Sequence, residues 1–300
     1  MYLKSNLLNY YDMTGITNMH SASSAIKTNT SSSIPVNKIL VATEVCSTCV
    51  PVINYGAGLA NLLNAELVIL NIVNSDPNNG QFINDDNLNK GKQSIIHALK
   101  RMNISPDKVI IMVRAGDPED IINKTILTHN IGLCIMGKSK SRSDKSKVGK
   151  LTGKIIDNPP CPLAIITPGQ RLNLPSNILI TWGGVDLENL THHKKFFDGF
   201  LNNLNAEDLL FHVSHSSEKF NSDDVKSAFK NILHHKVELE TSHSDNVYLE
   251  IKKKLSTEEF DMVIVFHRIN KSADDKFGGS LSKKLSFSVE TPVMIIPIHN

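Results

Sequence analysis

The chain has 300 residues, 40% hydrophobic and 21% charged, and carries a net charge of +2. That composition is a globular one, long enough for two domains with separate cores, and it offers no global attraction to nucleic acid or anionic membrane. Four cysteines are too few for a disulfide scaffold, which makes a reducing cytoplasm the expected compartment. No apolar run reaches the roughly 18 residues of a membrane span, and Met1–Asp12 lacks the continuous apolar stretch of a secretory signal.

Residues 1–35 are expected to form a flexible tail, with a short helix conceivable at Leu3–Tyr11. The stretch Ser21–Ser33 reads SASSAIKTNTSSS, too polar to offset the entropy of ordering it. After Pro35, short apolar runs rich in Val, Ile and Leu alternate with segments of helical period, the pattern of βαβ units around a parallel sheet. The runs Ile39–Thr43, Leu67–Val73, Val109–Val113, Leu133–Met136 and Leu163–Thr167 are expected strands, near-continuously hydrophobic because both faces are covered. Leu88, Ile95, Leu99 and Met102 mark one intervening helix; Ile122, Ile126 and His129 mark another. The second opens on Gly116-Asp117-Pro118, with Asp117 placed to cap and Pro118 at the first helical position.

The pattern then repeats. Strands are expected at Ile178–Trp182, Asp208–Val213, Val237–Thr241, Met262–Phe266 and Val293–Pro297. Between them, helices are marked by Phe197, Leu201 and Leu204, by Val225, Phe229 and Ile232, and by Val247, Ile251 and Leu255. Leu-Asn-Ala-Glu precedes the second strand of both halves, at Leu63–Glu66 and Leu204–Glu207. An offset of 130 superposes Gly149 on Gly279, Leu151 on Leu281, Lys154 on Lys284 and Pro162 on Pro292. Order, spacing and identities together indicate duplication. The expected domains are residues 36–170 and 177–300, joined by the short, proline-bearing linker Pro168–Ser176, which implies packed rather than freely tethered halves.

Ile135-Met136-Gly137, a polar loop, Gly149, a short helix and Pro160-Cys161-Pro162-Leu163-Ala164-Ile165-Ile166 resemble the end of a universal stress protein domain. Lys38–Glu44 and Ala115–Pro118 are similar to its earlier landmarks, and the resemblance spans residues 36–167 and 177–298. It implies an α/β fold: two tandem five-stranded parallel sheets, Rossmann-like, of order 3-2-1-4-5. Ligands would bind beyond the carboxyl ends of strands 1 and 4, where the winding reverses. It also implies an intramolecular pseudo-dimer through strand 5, with Leu163–Thr167 and Val293–Pro297 paired antiparallel so that two apolar edges are buried. Pro292 and Pro297 stand at the ends of the second of these strands and leave Val293–Ile296 free to pair.

ATP-binding members of that family carry Gly-x-x-Gly, nine residues, then Gly-Ser or Gly-Thr after strand 4, where backbone N–H groups close on phosphate. An acidic residue ending strand 1 holds the adenine side. Neither half has the whole motif. The first keeps Thr43, Glu44 and Gly137, but has Lys140 for the second glycine, Gly149 one residue early and Lys150 where Ser or Thr is expected, with Thr152 nearby. The second keeps Gly279 and Ser280, but its loop opens on His267-Arg268 and its first strand ends Trp182-Gly183-Gly184. Lys138, Lys140, Arg142, Lys145, Lys147, Lys150 and Lys154 face one acid, Asp144, across the first loop and helix. Two readings of them stay open: cations that neutralise a phosphate in place of glycines, or a solvated basic face.

Cys46-Ser47-Thr48-Cys49 is either a redox pair at a helix start or two small residues, with Cys49 packed inward. Cys134 is expected in the core and Cys161 in a structural turn. His212, His215, His243 and His267 fall near the carboxyl ends of strands, as a metal or anion site or as unrelated polar-edge residues. No catalytic constellation or metal-ligand spacing is evident. The expected protein is a non-catalytic cytoplasmic stress-response protein whose degenerate sites take ATP, another adenine nucleotide or a small anion, the first half being favoured. The alternatives are an interaction protein without nucleotide and a thiol redox sensor. Neither nucleic acid nor membrane is an expected partner, and further self-association is conceivable.

Overall fold

A computed structural model describes residues 35–44, 49–73, 85–138, 149–167, 173–184, 187–214, 220–269 and 280–298. The expected tail, the Asn/Asp-rich stretch before the second helix and much of the linker lie outside them. The first half runs β1 (Lys38–Ala42), α1 (Val50–Leu62), β2 (Glu66–Val73), α2 (Asp85–Arg101), β3 (Val109–Ala115), α3 (Pro118–His129), β4 (Leu133–Gly137), α4 (Lys150–Asp157) and β5 (Leu163–Ile166). The second runs β6 (Asn177–Trp182), α5 (Leu187–Thr191), α6 (Lys194–Leu204), β7 (Glu207–Ser214), α7 (Ser222–Leu233), β8 (Glu238–His243), α8 (Val247–Thr257), β9 (Met262–Arg268), α9 (Leu281–Ser288) and β10 (Val293–Ile298).

The strands form one sheet of order β3-β2-β1-β4-β5-β10-β9-β6-β7-β8. Each half therefore has the order 3-2-1-4-5, and the pairs within each half are parallel. At the centre β5 and β10 pair antiparallel, with Val293 opposite Ile165, Met294 opposite Ala164 and Ile295 opposite Leu163. Pro297 lies beyond that register, where its missing N–H costs the ladder nothing.

Alternation along the strands builds a core on each face of the sheet. Ile39, Val41 and Ile69 face α1 and α2, while Leu40, Val68 and Leu70 face α3 and α4. Each core continues into the second half, through Phe197, Phe200 and Phe229 on one face and Ile251 and Leu285 on the other. Residues 32–300 accordingly form one compact unit.

Local sequence explains the turns. Asp117 accepts hydrogen bonds from the N–H of Glu119 at 3.0 Å and of Asp120 at 3.1 Å, and Pro118 opens α3. Both copies of Leu-Asn-Ala-Glu do the same work: Asn64 and Asn205 adopt left-handed backbone, φ 51° and 49°, between a buried leucine and the first residue of the next strand. Two elements depart from expectation. The helical period around Phe197 belongs to α6, preceded by the separate short α5. The strand expected at Val237–Thr241 is Glu238–His243, because β8 is an edge whose mostly exposed far end carries no apolar signal.

Candidate functional site

In the first half the sheet changes winding direction between β1 and β4, and the site is assembled there. Ala42 lies beside Met136 in the ladder, so Thr43 and Glu44 emerge next to Gly137 and Lys138. The Thr43 N–H donates to the Leu70 carbonyl at 2.9 Å, and the Thr43 carbonyl accepts from Asn71 Nδ2 at 3.1 Å, which fixes the end of β1. Glu44 is exposed. The Lys138 N–H donates to the Ile166 carbonyl at 2.7 Å, while its Nζ reaches the Val289 carbonyl of the second half at 2.9 Å.

Gly149 sits at the N-cap of α4 with extended backbone and no side chain to cap the first turn. The bare cap and the helix dipole therefore favour an anion there. Lys150 is exposed at the first helical position and Thr152 is buried. Lys154 belongs to a different group: it is paired with Glu119 at 2.7 Å, and that hydrogen bond raises its pKa. Lys140, Arg142, Lys145 and Lys147 lie outside the described residues.

The second half fills the same place with its own side chains. Trp182 stands where the first half has Thr43, its ring centroid 4.6 Å from His212 and 5.5 Å from Phe220. His212 stands where the first half has Asn71, and its Nδ1 lies 2.8 Å from the Trp182 carbonyl, the same strand-end contact made by a different residue. Arg268, one residue past His267, which holds the position of Lys138, donates back across the crevice to the carbonyls of Gly183 at 3.2 Å and Gly184 at 2.9 Å. Ser280 caps α9, accepting from the Lys283 N–H at 3.4 Å. Gly279 lies outside the described residues.

The other sequence candidates scatter. His243 Nδ1 is 2.7 Å from Ser214 Oγ, and His267 lies at the seam between the halves. His215 lies outside the described residues, among which no group of three or more His, Cys, Asp and Glu could hold a metal. Cys134 and Cys161 are buried free thiols, and burial pushes Cys161 up to about 12. Cys49 is half-buried and disulfide-bonded rather than simply packed inward; Cys46 lies outside the described residues. Asn71, Phe220 and Arg268 were not legible as site residues, and His212 was singled out only as one of four strand-end histidines. The one available signal was that Asn71 and His212 each stand five positions after the Glu of Leu-Asn-Ala-Glu.

Residues 35–167 match the model of the universal stress protein family. That half of the chain is a universal stress protein domain. A universal stress protein from Archaeoglobus fulgidus DSM 4304 superposes with a TM-score of 0.65 at 16% identity, covering 87% of this chain and 98% of that one. A functionally unknown protein from Pseudomonas aeruginosa PAO1 superposes with a TM-score of 0.59 at 13% identity, covering 88% and 93%. At these identities the likeness is one of fold, and it extends over both halves. No curated protein matches the chain.

Proposed function

We propose that this chain is a non-catalytic stress-response protein that binds an adenine nucleotide or a related phosphate-bearing anion, and binds it in the first half. The domains of the proposal are residues 36–170 and 177–300, the second acting as the fixed partner in a covalent pseudo-dimer. The observation that carries the reading is the contrast between two equivalent helix starts. α4 opens on a glycine that caps nothing, with Lys150 beside it and Glu44 across the crevice. α9 is capped by its own Ser280, and its crevice is bridged by Arg268 and backed by Trp182. An anion at α4 gains the helix dipole at a first turn that Gly149 has no side chain to cap; at α9 it would have to displace contacts already made.

Thr43, Glu44, Gly137, Lys138, Gly149, Lys150 and Thr152 form the proposed site, with Lys140 contributed by the loop; Gly279 and Ser280 form the weaker one. Thermal denaturation with ATP, ADP and AMP tests this. A ligand at a hundredfold excess over its Kd stabilises by about 2.7 kcal/mol, and Lys150→Glu should weaken binding about tenfold, or 1.4 kcal/mol. No shift with any of the three at millimolar concentration would overturn the nucleotide reading and favour an interaction protein.

A further inference from the structure

The two sites are not separate objects, because each is wired to the far end of the other's helix. α9 begins at Ser280 in the second site and ends at Val289, whose carbonyl accepts from Lys138 Nζ of the first site at 2.9 Å. α4 begins at Gly149 in the first site and ends at Asp157, whose carbonyl lies 3.3 Å from His267 Nε2 of the second. The same His267 ring places Nδ1 3.4 Å from Ser280 Oγ, so one side chain touches both the second site's cap and the end of the first site's helix. Lys283 of α9 closes the circuit with an ion pair to Asp157, and Thr167 donates to the Glu290 carbonyl at 3.3 Å. α4 and α9 also pack directly on one another.

We propose that the sites are coupled across the β5–β10 seam: an anion that draws Lys138 away from the Val289 carbonyl loosens the last turn of α9, and with it the Ser280 cap. Lys138 and His267 are positioning residues in this scheme, each holding the end of a helix whose other end is a site. Two-way wiring is what the scheme requires, since a binding coupling is reciprocal. A cation that leaves a carbonyl for a phosphate exchanges one charge-assisted hydrogen bond for a stronger one. The carbonyl it abandons is one of the unpaired acceptors of a helix end, and the loosening that follows runs along the eight residues of α9 to its Ser280 cap.

Hydrogen exchange on the full chain, read by mass spectrometry, tests the coupling in two arms. Without ligand, Lys138→Met should speed exchange of the Leu285 and Val289 amides about fivefold, the low end of ordinary allosteric coupling. Lys138→Arg should restore the wild-type rate, and α7, on the opposite sheet face of the second half, should not change. Equal exchange in wild type and Lys138→Met overturns the inference, as does acceleration spread evenly over the protein. In the second arm, millimolar ATP should speed the same amides in wild type and leave Lys138→Met unmoved. The ligand arm rests on the proposed function, so calorimetry is run beside it. Heat of binding with α9 unchanged overturns the coupling and leaves the nucleotide site standing. No heat overturns the nucleotide site, and the ligand-free arm still decides the coupling.

Discussion

Asn64 and Asn205 show why a short polar word recurs in two otherwise divergent halves. Left-handed backbone costs most L-residues about 1–2 kcal/mol, and asparagine pays less because its side chain bonds locally. The residues on either side are equally committed: Leu63 and Leu204 are buried, and Glu66 and Glu207 open β2 and β7. Asn205→Val should therefore lower stability by about 1–2 kcal/mol, with Asn205→Gly near neutral, as urea titration would show. Equal stability of all three proteins would mean that the turn can relax out of the left-handed region at no cost. The same scale explains the unequal sites. Thr43 and Trp182 occupy equivalent strand ends, but the indole contacts His212 and Phe220 in its own half.

At the scale of elements, helix placement is set by how closely each helix can approach the sheet. A Cβ on Gly56 in the middle of α1 would lie 2.3 Å from Val41 Cγ2 on β1, so this glycine lets α1 sit directly over the strand that carries Thr43 and Glu44. Gly56→Ala should destabilise by about 1–3 kcal/mol, as overpacking does, and should also weaken ATP binding by shifting the end of β1. A thermal melt and a binding titration on the same preparation separate the two effects. If Gly56→Ala proves as stable as wild type, α1 has slack that its buried contacts do not suggest. The helices α4 and α9 differ for a simpler reason. α9 has a hydroxyl on its cap residue and α4 has none.

For the whole molecule the decisive feature is the antiparallel β5–β10 pair, which turns two five-stranded sheets into one and runs both cores through both halves. Such a unit should unfold as one. Trp182 is the only tryptophan and lies in the second half, so its fluorescence reports that half alone, while far-ultraviolet circular dichroism reports both. The two urea transitions should coincide, as cooperative two-state unfolding requires. A circular dichroism transition that precedes the fluorescence change would show the first half melting by itself.

What the sequence determined by itself was the architecture. Apolar runs of strand length alternating with helical period specify a parallel sheet, because burial on both faces leaves no other use for them. Asp117-Pro118 specifies the start of α3, and the doubled Leu-Asn-Ala-Glu specifies the duplication. The places of Glu44, Gly137, Lys138 and Gly149 at strand ends and a helix start were also legible, since a repeat sets them by counting. Tertiary structure decided the rest, because it depends on residues distant along the chain. Nothing in the neighbourhood of Lys138 says that its amine reaches Val289, or that Arg268, one residue past the matching position, turns back to Gly183 and Gly184. Long side chains choose among carbonyls that only folding brings within reach, and that choice distinguishes the two halves.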